Sequence, residues 1–182
     1  MTILLRGECL ALARGGRLLF EKLDIVLGKG EAVRVTGANA AGKSSLLRLI
    51  AGLLAPSAGR IERSTAALAN DALALDHELP LGRALAFWQG PRIGGAMTQF
   101  ALDGLAAVPV GLLSAGQAKR ATLARVMASA APLWLLDEPL NGLDRDGTAR
   151  LEQAIAGHRA SGGGVIVASH LPLGGEWREI AL

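Results

Sequence analysis

Aromatic residues and cysteines are scarce in this chain of 182 residues, which has no tyrosine and only 3% aromatic residues in all. Because hydrophobic residues still make up 51% of the chain, its core must be built mainly from leucine, alanine, valine and isoleucine. The single cysteine, Cys9, cannot form a disulfide within the chain, and such cysteine usage is typical of a reducing cytoplasm. No apolar stretch approaches ~20 residues, so we expect no membrane-spanning helix.

Charge and length exclude further classes of protein. The formal net charge is +3, and the basic residues are scattered without interleaved aromatics, so we expect no nucleic-acid binding. The first apolar run is short and is broken by Arg6 and Glu8, which does not match a secretory signal. The length suits one domain, and we expect a single domain over residues 1–182.

Short apolar runs that alternate with helical patterns predict an α/β fold. Two half-alternating runs separated by Gly15 and Gly16 predict a β-hairpin at the N-terminus. The runs "EAVRV", "LWLLD" and "GVIVAS" are separated by helical patterns, which predicts parallel strands with the chemistry at their carboxyl ends. Residues 79–107 favour two or three short helices, and "GRIERS" favours one more strand. Ser114 is placed to cap a strong helix.

The stretch "TGANAAGKSS", residues 36–45, joins a predicted strand to a predicted helix. Gly37, Gly42, Lys43 and Ser44 match the phosphate-loop pattern G-x-x-x-x-G-K-[ST] without a mismatch. We expect backbone N–H groups to wrap the terminal phosphates of ATP, Lys43 to reach the β- and γ-phosphates, and the Ser44 hydroxyl to hold Mg²⁺. The expected ATP-binding residues of this loop are Gly37, Ala38, Asn39, Ala40, Ala41, Gly42, Lys43, Ser44 and Ser45.

Acidic residues and a histidine follow two other predicted strands. Asp137 and Glu138 end "LWLLDE", and a carboxylate at the tip of a buried strand is costly unless it meets a cation. We expect Asp137 to hold Mg²⁺ and Glu138 to deprotonate or orient the attacking water. His170, at the end of "VIVASH", is expected to contact the γ-phosphate. The alternatives are a solvated turn at the acidic pair and a histidine without a role.

A second anion site is predicted at "LSAGQ", residues 113–117. A serine cap and small residues at a helix start suit a phosphate group. One ATP needs only one such site, so the second suggests that two copies of the chain face each other. Each copy would then complete the nucleotide pocket of the other.

The ordered motifs "GANAAGKSS", "LSAGQ", "LLDEP", "NGLD" and "VASH" resemble the ATPase subunits of ABC transporters over nearly the whole chain. The resemblance implies a P-loop NTPase fold with a mainly parallel central sheet, an N-terminal antiparallel β-subdomain and a helical subdomain at about residues 71–125. It also implies a head-to-tail dimer around two ATPs, with Mg²⁺, and multi-span membrane subunits as partners. On this resemblance, the γ-phosphate held by the partner copy would be bound by Ser114, Ala115, Gly116 and Gln117. Asn141 to Asp144 would form the loop that communicates across the dimer.

Three positions depart from the family pattern. Ala115 replaces the second glycine of the usual signature. The aromatic residue that stacks on adenine is missing, and Arg14 stands near its position, where the guanidinium could stack instead. The glutamine that normally joins the core to the helical subdomain is also missing, and Asn70 is the best substitute as a ligand of Mg²⁺.

Within this family, the short length and the wording of several motifs resemble most the ATP-binding subunits of the cytochrome c maturation (haem exporter) system. That resemblance implies a location on the cytoplasmic face of the bacterial inner membrane and an ATP cycle that drives release of a haem-loaded chaperone. No direct haem binding is expected. The alternatives are an ABC ATPase for a drug, lipid or ion, a soluble ABC-type ATPase that acts on DNA or ribosomes, and a P-loop kinase.

Overall fold

The computed structural model describes residues 2–70, 74–88 and 92–182. In chain order its strands are β1 (Ile3–Arg14), β2 (Arg17–Gly28), β3 (Ala32–Thr36), β4 (Ala58–Arg63), β5 (Ala66–Ala69), β6 (Leu133–Asp137), β7 (Gly164–Ala168) and β8 (Arg178–Ala181). The α-helices are α1 (Lys43–Ala51), α2 (Leu81–Ala86), α3 (Ile93–Gln99), α4 (Ala115–Ala128) and α5 (Arg145–Ala160). Two short 3₁₀ helices lie at Asp103–Leu105 and Val110–Leu112.

The N-terminal hairpin forms an antiparallel sheet in the order β2-β1-β4. Gly15 and Gly16 form its turn with φ of 58° and 76°, values that glycine adopts without a steric penalty. Leu5, Leu10 and Leu27 are fully buried beneath the sheet. This arrangement confirms the predicted antiparallel β-subdomain.

The central sheet has the order β5-β6-β7-β3-β8, and all of its pairs are parallel. Strands β6 and β7 are buried almost throughout, as expected for a parallel sheet covered on both faces. The sheet places β3, β7 and β6 side by side, so the residues that follow these three strands meet at one edge. The predicted mainly parallel P-loop fold is confirmed.

The described residues between β5 and β6 contain short helices and α4. Within residues 79–107 the structure has α2, α3 and one 3₁₀ helix, which confirms the predicted short helices there. The expected helical subdomain, at about 71–125, is described only in part, because 71–73 and 89–91 lie outside the described residues. Across the described ranges, no helix has both the length and the apolar character that a bilayer crossing requires.

Candidate nucleotide-binding site

A cleft of about 550 Å³ opens at the carboxyl edge of the central sheet. It lies where the phosphate loop leaves β3 and where the chain leaves β6 and β7, so segments that follow three sheet strands line it. The residues that line it are Leu19, Asn39, Ala40, Gly42, Lys43, Ser44, Ser45, Glu138, Asn141 and His170. The structure thus brings together most of the phosphate loop, the expected base and the expected histidine.

Two glycines give the phosphate loop its shape. Gly37 and Gly42 have φ of 139° and 110°, which side chains rarely adopt. A Cβ atom on Gly37 would lie 2.6 Å from the carbonyl oxygen of Leu182. The loop therefore runs too close to the backbone of Leu182 for any residue larger than glycine. The helix α1 begins directly after Gly42 and buries its leucines in the core.

The N-terminus of α1 is left open for an anion. Gly42 caps the helix without a side-chain hydrogen bond, and the first turn contains no acidic residue. The N–H groups and the positive end of the helix dipole therefore face the cleft without neutralisation by the protein. Ser44 and Ser45 add hydroxyl groups to the same turn, which suits a phosphate with a bound cation.

Lys43 folds back over the loop. Its side chain is buried, with 8% of the residue exposed, and its Nζ donates to the carbonyl oxygens of Gly37 at 2.8 Å and Ala38 at 3.1 Å. Nζ also lies 3.2 Å from Nε2 of His170. A phosphate that entered the cleft would therefore replace carbonyl and imidazole partners of this ammonium group.

Glu138 and His170 are in contact at the cleft. Oε1 of Glu138 lies 3.4 Å from Nε2 of His170, and the backbone N–H of His170 donates to Oε2 at 3.4 Å. The Glu138 side chain is 20% exposed, so it stays in reach of a water in the cleft. Its backbone has φ of 42°, a left-handed conformation that costs about 1–3 kcal/mol away from glycine. The hydrogen bond from its N–H to the Ala168 carbonyl oxygen, at 2.8 Å, holds this conformation.

The residues present fit a magnesium ion that arrives with the nucleotide. Ser44 lines the cleft, and Asp137 ends β6 next to Glu138. Among the described residues, no group of three or more acidic, histidine or cysteine side chains forms a ready-made metal cage. Mg²⁺ commonly binds through one or two protein oxygens together with substrate phosphates and water, and the Ser44 hydroxyl and the Asp137 carboxylate are oxygen ligands of that kind.

The signature segment lies at a separate hollow. Ser114 caps α4 in a reciprocal capping box: Gln117 N–H donates to the serine Oγ at 3.3 Å, and Ser114 N–H donates to the Gln117 Oε1 at 2.8 Å. The predicted cap is confirmed. A hollow of about 190 Å³ lies beside it, lined by Ser114, Gly116, Gln117, Arg120, Gly142, Leu143 and Asp144. Its lining shares no residue with that of the phosphate-loop cleft.

The segment from Asn141 to Asp144 links the two regions. A Cβ on Gly116 would lie 3.3 Å from the Gly142 carbonyl oxygen, so the segment packs against the start of α4. Asp144 caps α5 through a 2.7 Å hydrogen bond from Gly147 N–H. Asn141 lines the nucleotide cleft, a position that the sequence pattern did not reveal.

Several expected residues are absent from the cleft lining: Gly37, Ala38 and Ala41 of the phosphate loop, the expected magnesium ligand Asp137, Arg14 and Asn70. Arg14 is exposed at the tip of the hairpin, paired with Arg17, while Leu19 of the same hairpin lines the cleft. Asn70 follows β5 and lines a third cavity of about 300 Å³ with Asn141 and one side of α4. Leu19 was missed because an aliphatic residue in an alternating strand carries no functional signal of its own.

Comparisons with known proteins agree with this geometry. The sequence model of the ABC transporter family matches residues 20–141. The cytochrome c biogenesis ATP-binding export protein CcmA of Sphingopyxis alaskensis is 54% identical over 180 residues, which cover 95% of this chain and 93% of that protein. The protein of the same name from Novosphingobium aromaticivorans is 55% identical over 166 residues, covering 90% of this chain and 87% of that protein.

Solved structures share the fold at lower identity. An ATP-binding subunit of an ABC transporter superposes with a TM-score of 0.86 at 24% identity, covering 92% of this chain and 80% of that one. A putative ABC transporter ATP-binding protein from Pyrococcus furiosus gives a TM-score of 0.84 at 21% identity, covering 98% and 96%. The chain belongs to the ABC transporter family of ATP-binding proteins, in the group of cytochrome c biogenesis ATP-binding export proteins.

Proposed function

We propose that this chain is the ATP-hydrolysing motor of a bacterial ABC transporter that exports haem for cytochrome c biogenesis. In this proposal ATP binding closes two copies head to tail, and hydrolysis reopens them. The observation that supports the dimer is the separation of two anion-binding features within one chain. The phosphate-loop cleft and the Ser114 hollow have different linings, which supports a site that a second copy completes.

ATP binding would begin with an exchange of partners at Lys43. The ammonium group now bonds the Gly37 and Ala38 carbonyl oxygens, and the β- and γ-phosphates would take over part of this coordination. The open N-terminus of α1 would supply backbone N–H groups to the same phosphates. The adenine base would contact Leu19, which lines the cleft. The Arg14 guanidinium would have to turn inward from the hairpin tip to stack on adenine.

Magnesium would be held by Ser44 and Asp137, with the phosphates as the remaining oxygen ligands. When bound, the ion supplies charge neutralisation for the transferred phosphoryl group. Asn70 is the third proposed ligand of the ion. It lies with Asn141 in a neighbouring cavity, so Asn70 would have to approach the cleft when nucleotide binds.

Hydrolysis would depend on Glu138 as general base. Its carboxylate would accept a proton from a water placed in line with the γ-phosphate, a contribution of typically about 10²–10⁴-fold in rate. His170 would hold the carboxylate through Nε2 and through its backbone N–H, the two contacts already present. Lys43 would meanwhile stabilise the charge on the γ-phosphate.

The second copy would complete each site. Its Ser114, Ala115, Gly116 and Gln117 would lie against the γ-phosphate bound by the first copy's Lys43, with the N-terminus of α4 directed at the phosphate. The segment from Asn141 to Asp144 packs on the start of α4 and also reaches the cleft through Asn141. It would therefore report the state of one nucleotide to the other copy.

The haem and cytochrome c role is supported by the printed names of the relatives, which are cytochrome c biogenesis ATP-binding export proteins. In this role the chain would be bound to multi-span membrane subunits at the cytoplasmic face of the inner membrane, and it would not itself bind haem. A second candidate function is the same motor with another cargo. The two differ only in the membrane partners, so the cargo must be tested in the cell.

The test is a deletion of the gene followed by restoration with wild type or with Glu138→Gln. Membrane proteins are then stained for covalently bound haem. We expect the haem-stained bands to disappear in the deletion and to return with wild type alone. Bands that persist in the deletion would refute the haem role and leave the ATPase motor intact, with a different cargo.

A further inference from the structure

Arg125 is a buried cation that the proposed chemistry does not use. It lies on α4 with only 5% of the residue exposed, and burial in apolar surroundings lowers the pKa of its guanidinium. In the described part of the chain it has no carboxylate within ion-pair distance, and its Nε is buried without a hydrogen-bond partner. A buried charge is costly unless other contacts compensate it, so the partners that the guanidinium does have among the described residues matter.

The guanidinium connects three parts of the molecule. Its Nη2 donates to the carbonyl oxygen of Leu68 on β5, the edge strand of the central sheet. Its central carbon lies 4.7 Å from the centre of the Trp88 ring, within the range of a cation–π contact. Trp88 follows α2, so the same side chain joins the sheet, the region of α2 and the helix α4.

Both ends of this connection lead to the candidate site. Asn70 comes two residues after Leu68, at the end of β5. On α4, Ala115, Ala118 and Thr122 line the cavity that contains Asn70, and Arg125 continues this row at helical spacing. The helix itself begins beside Ser114. Arg125 therefore fixes the strand that leads to Asn70 against the helix that carries the signature segment.

We propose that Arg125 is a positioning residue for ATP hydrolysis: it keeps the Asn70 segment in register with the helix that begins at Ser114, so that the two move together when nucleotide binds. This inference depends on the proposed motor function and adds a residue that acts on catalysis through others. Arg125 does not line the cleft, so nucleotide binding itself does not require it.

A role in stability alone predicts a different outcome. Replacing a buried ion pair by apolar residues of similar volume is often neutral or stabilising, because no charge is left without its partner. Arg125 has no carboxylate partner among the described residues, so methionine, which matches the length of the arginine stem, leaves none behind either. If Arg125 serves positioning, Arg125→Met should therefore separate catalysis from stability. If it serves only packing, the two should change together or not at all.

The experiment uses the transporter complex purified through a tag on this chain, with wild type, Arg125→Met and Arg125→Lys. We expect Arg125→Met to leave the thermal midpoint unchanged and to keep the Kd for MgATP within about twofold of wild type. Its kcat should fall at least tenfold. Arg125→Lys, which can still donate to the Leu68 carbonyl oxygen, should recover part of kcat. His158→Phe is the matched control, because His158 is likewise desolvated and in contact with a tryptophan but lies on α5 and not on α4. This variant should keep the kcat of wild type.

Wild-type kcat in a folded Arg125→Met variant would overturn the inference. If that variant does not fold, Arg125→Lys decides: a kcat at least threefold below wild type at unchanged Kd supports positioning, and an unchanged kcat overturns it. Failure of the motor function itself would look different. In that case the wild type would have no ATPase activity above that of Lys43→Ala.

Discussion

Nζ of Lys43 lies 3.2 Å from Nε2 of His170, and the same Nε2 lies 3.4 Å from Oε1 of Glu138. A ring nitrogen offers either a lone pair to Lys43 or a proton to Glu138, and it cannot do both at once. A phosphate that draws Lys43 away would favour the tautomer that carries the proton on Nε2, and this tautomer can donate to the carboxylate. In the proposed motor, nucleotide binding and the orientation of Glu138 would therefore be linked through one imidazole atom.

Lys43→Ala is expected to weaken nucleotide binding by at least a hundredfold, because it removes the cation that would bind the phosphates inside a buried site. Isothermal titration with MgATP measures the Kd. Arg48→Ala is the control, since Arg48 lies on the same helix and carries the same charge but does not line the cleft. Unchanged affinity in Lys43→Ala would contradict the phosphate-loop assignment.

Ser44→Ala is expected to remove the benefit of magnesium while leaving the binding of metal-free ATP nearly unchanged. The hydroxyl is an oxygen ligand, and Mg²⁺ tolerates little change in its ligand geometry. Nucleotide affinity is measured in EDTA and then across a Mg²⁺ titration. Arg48→Ala again serves as the control and should respond to Mg²⁺ as wild type does. An identical Mg²⁺ response in Ser44→Ala would show that this serine is not a ligand.

His158 is expected to make folding stability depend on pH. Burial, the largest cause, lowers its pKa below the ordinary value of 6.5, with hydrogen bonds to Pro132 and Gly164 opposing and Arg92 adding to the shift. The ring stacks on Trp134 with centroids 3.9 Å apart. The folded state therefore favours neutral histidine, and stability is full above pH 6.5 and falls as the pH drops toward the lowered folded-state pKa.

Urea unfolding at pH 8 and pH 5.5 measures this effect. The wild type should lose more of its free energy of unfolding over this interval than His158→Phe, which keeps the stacking and cannot titrate. Equal losses in the two proteins would mean that another group causes the acid sensitivity. The comparison isolates His158 because all other titratable groups are shared.

Much of the fold follows from local pattern. The helix α5, Arg145–Ala160, lies where a helical pattern separates two predicted strands, because the polar cap Asp144 and an apolar stripe specify it. Strands β5 and β8 were missed. The sequence "AALA" of β5 has neither β-branched nor aromatic residues, and "REIA" of β8 is short and charged, so only pairing with neighbouring strands makes them strands.

The site was predictable where chemistry needs a particular residue type. Glu138 and Lys43 lie together as expected, because the carboxyl ends of parallel strands meet at one edge. Leu19 and Arg125 gave no signal, because their positions depend on packing between elements that are distant in sequence. The proposed stacking by Arg14 depends on movement of an exposed hairpin tip, which sequence reasoning cannot supply.

If two copies share each ATP, the Glu138→Gln variant reveals it most directly. Without a base the variant should bind MgATP, fail to hydrolyse it and accumulate as a dimer in analytical ultracentrifugation. Adding Ser114→Asp should abolish the dimer, because its carboxylate repels the γ-phosphate bound by the partner. Adding Ser114→Asn should keep the dimer. Aspartate and asparagine are both good helix caps, so the two variants differ in charge and not in capping. A Glu138→Gln protein that stays monomeric with ATP bound, or a dimer indifferent to Ser114→Asp, would contradict the account.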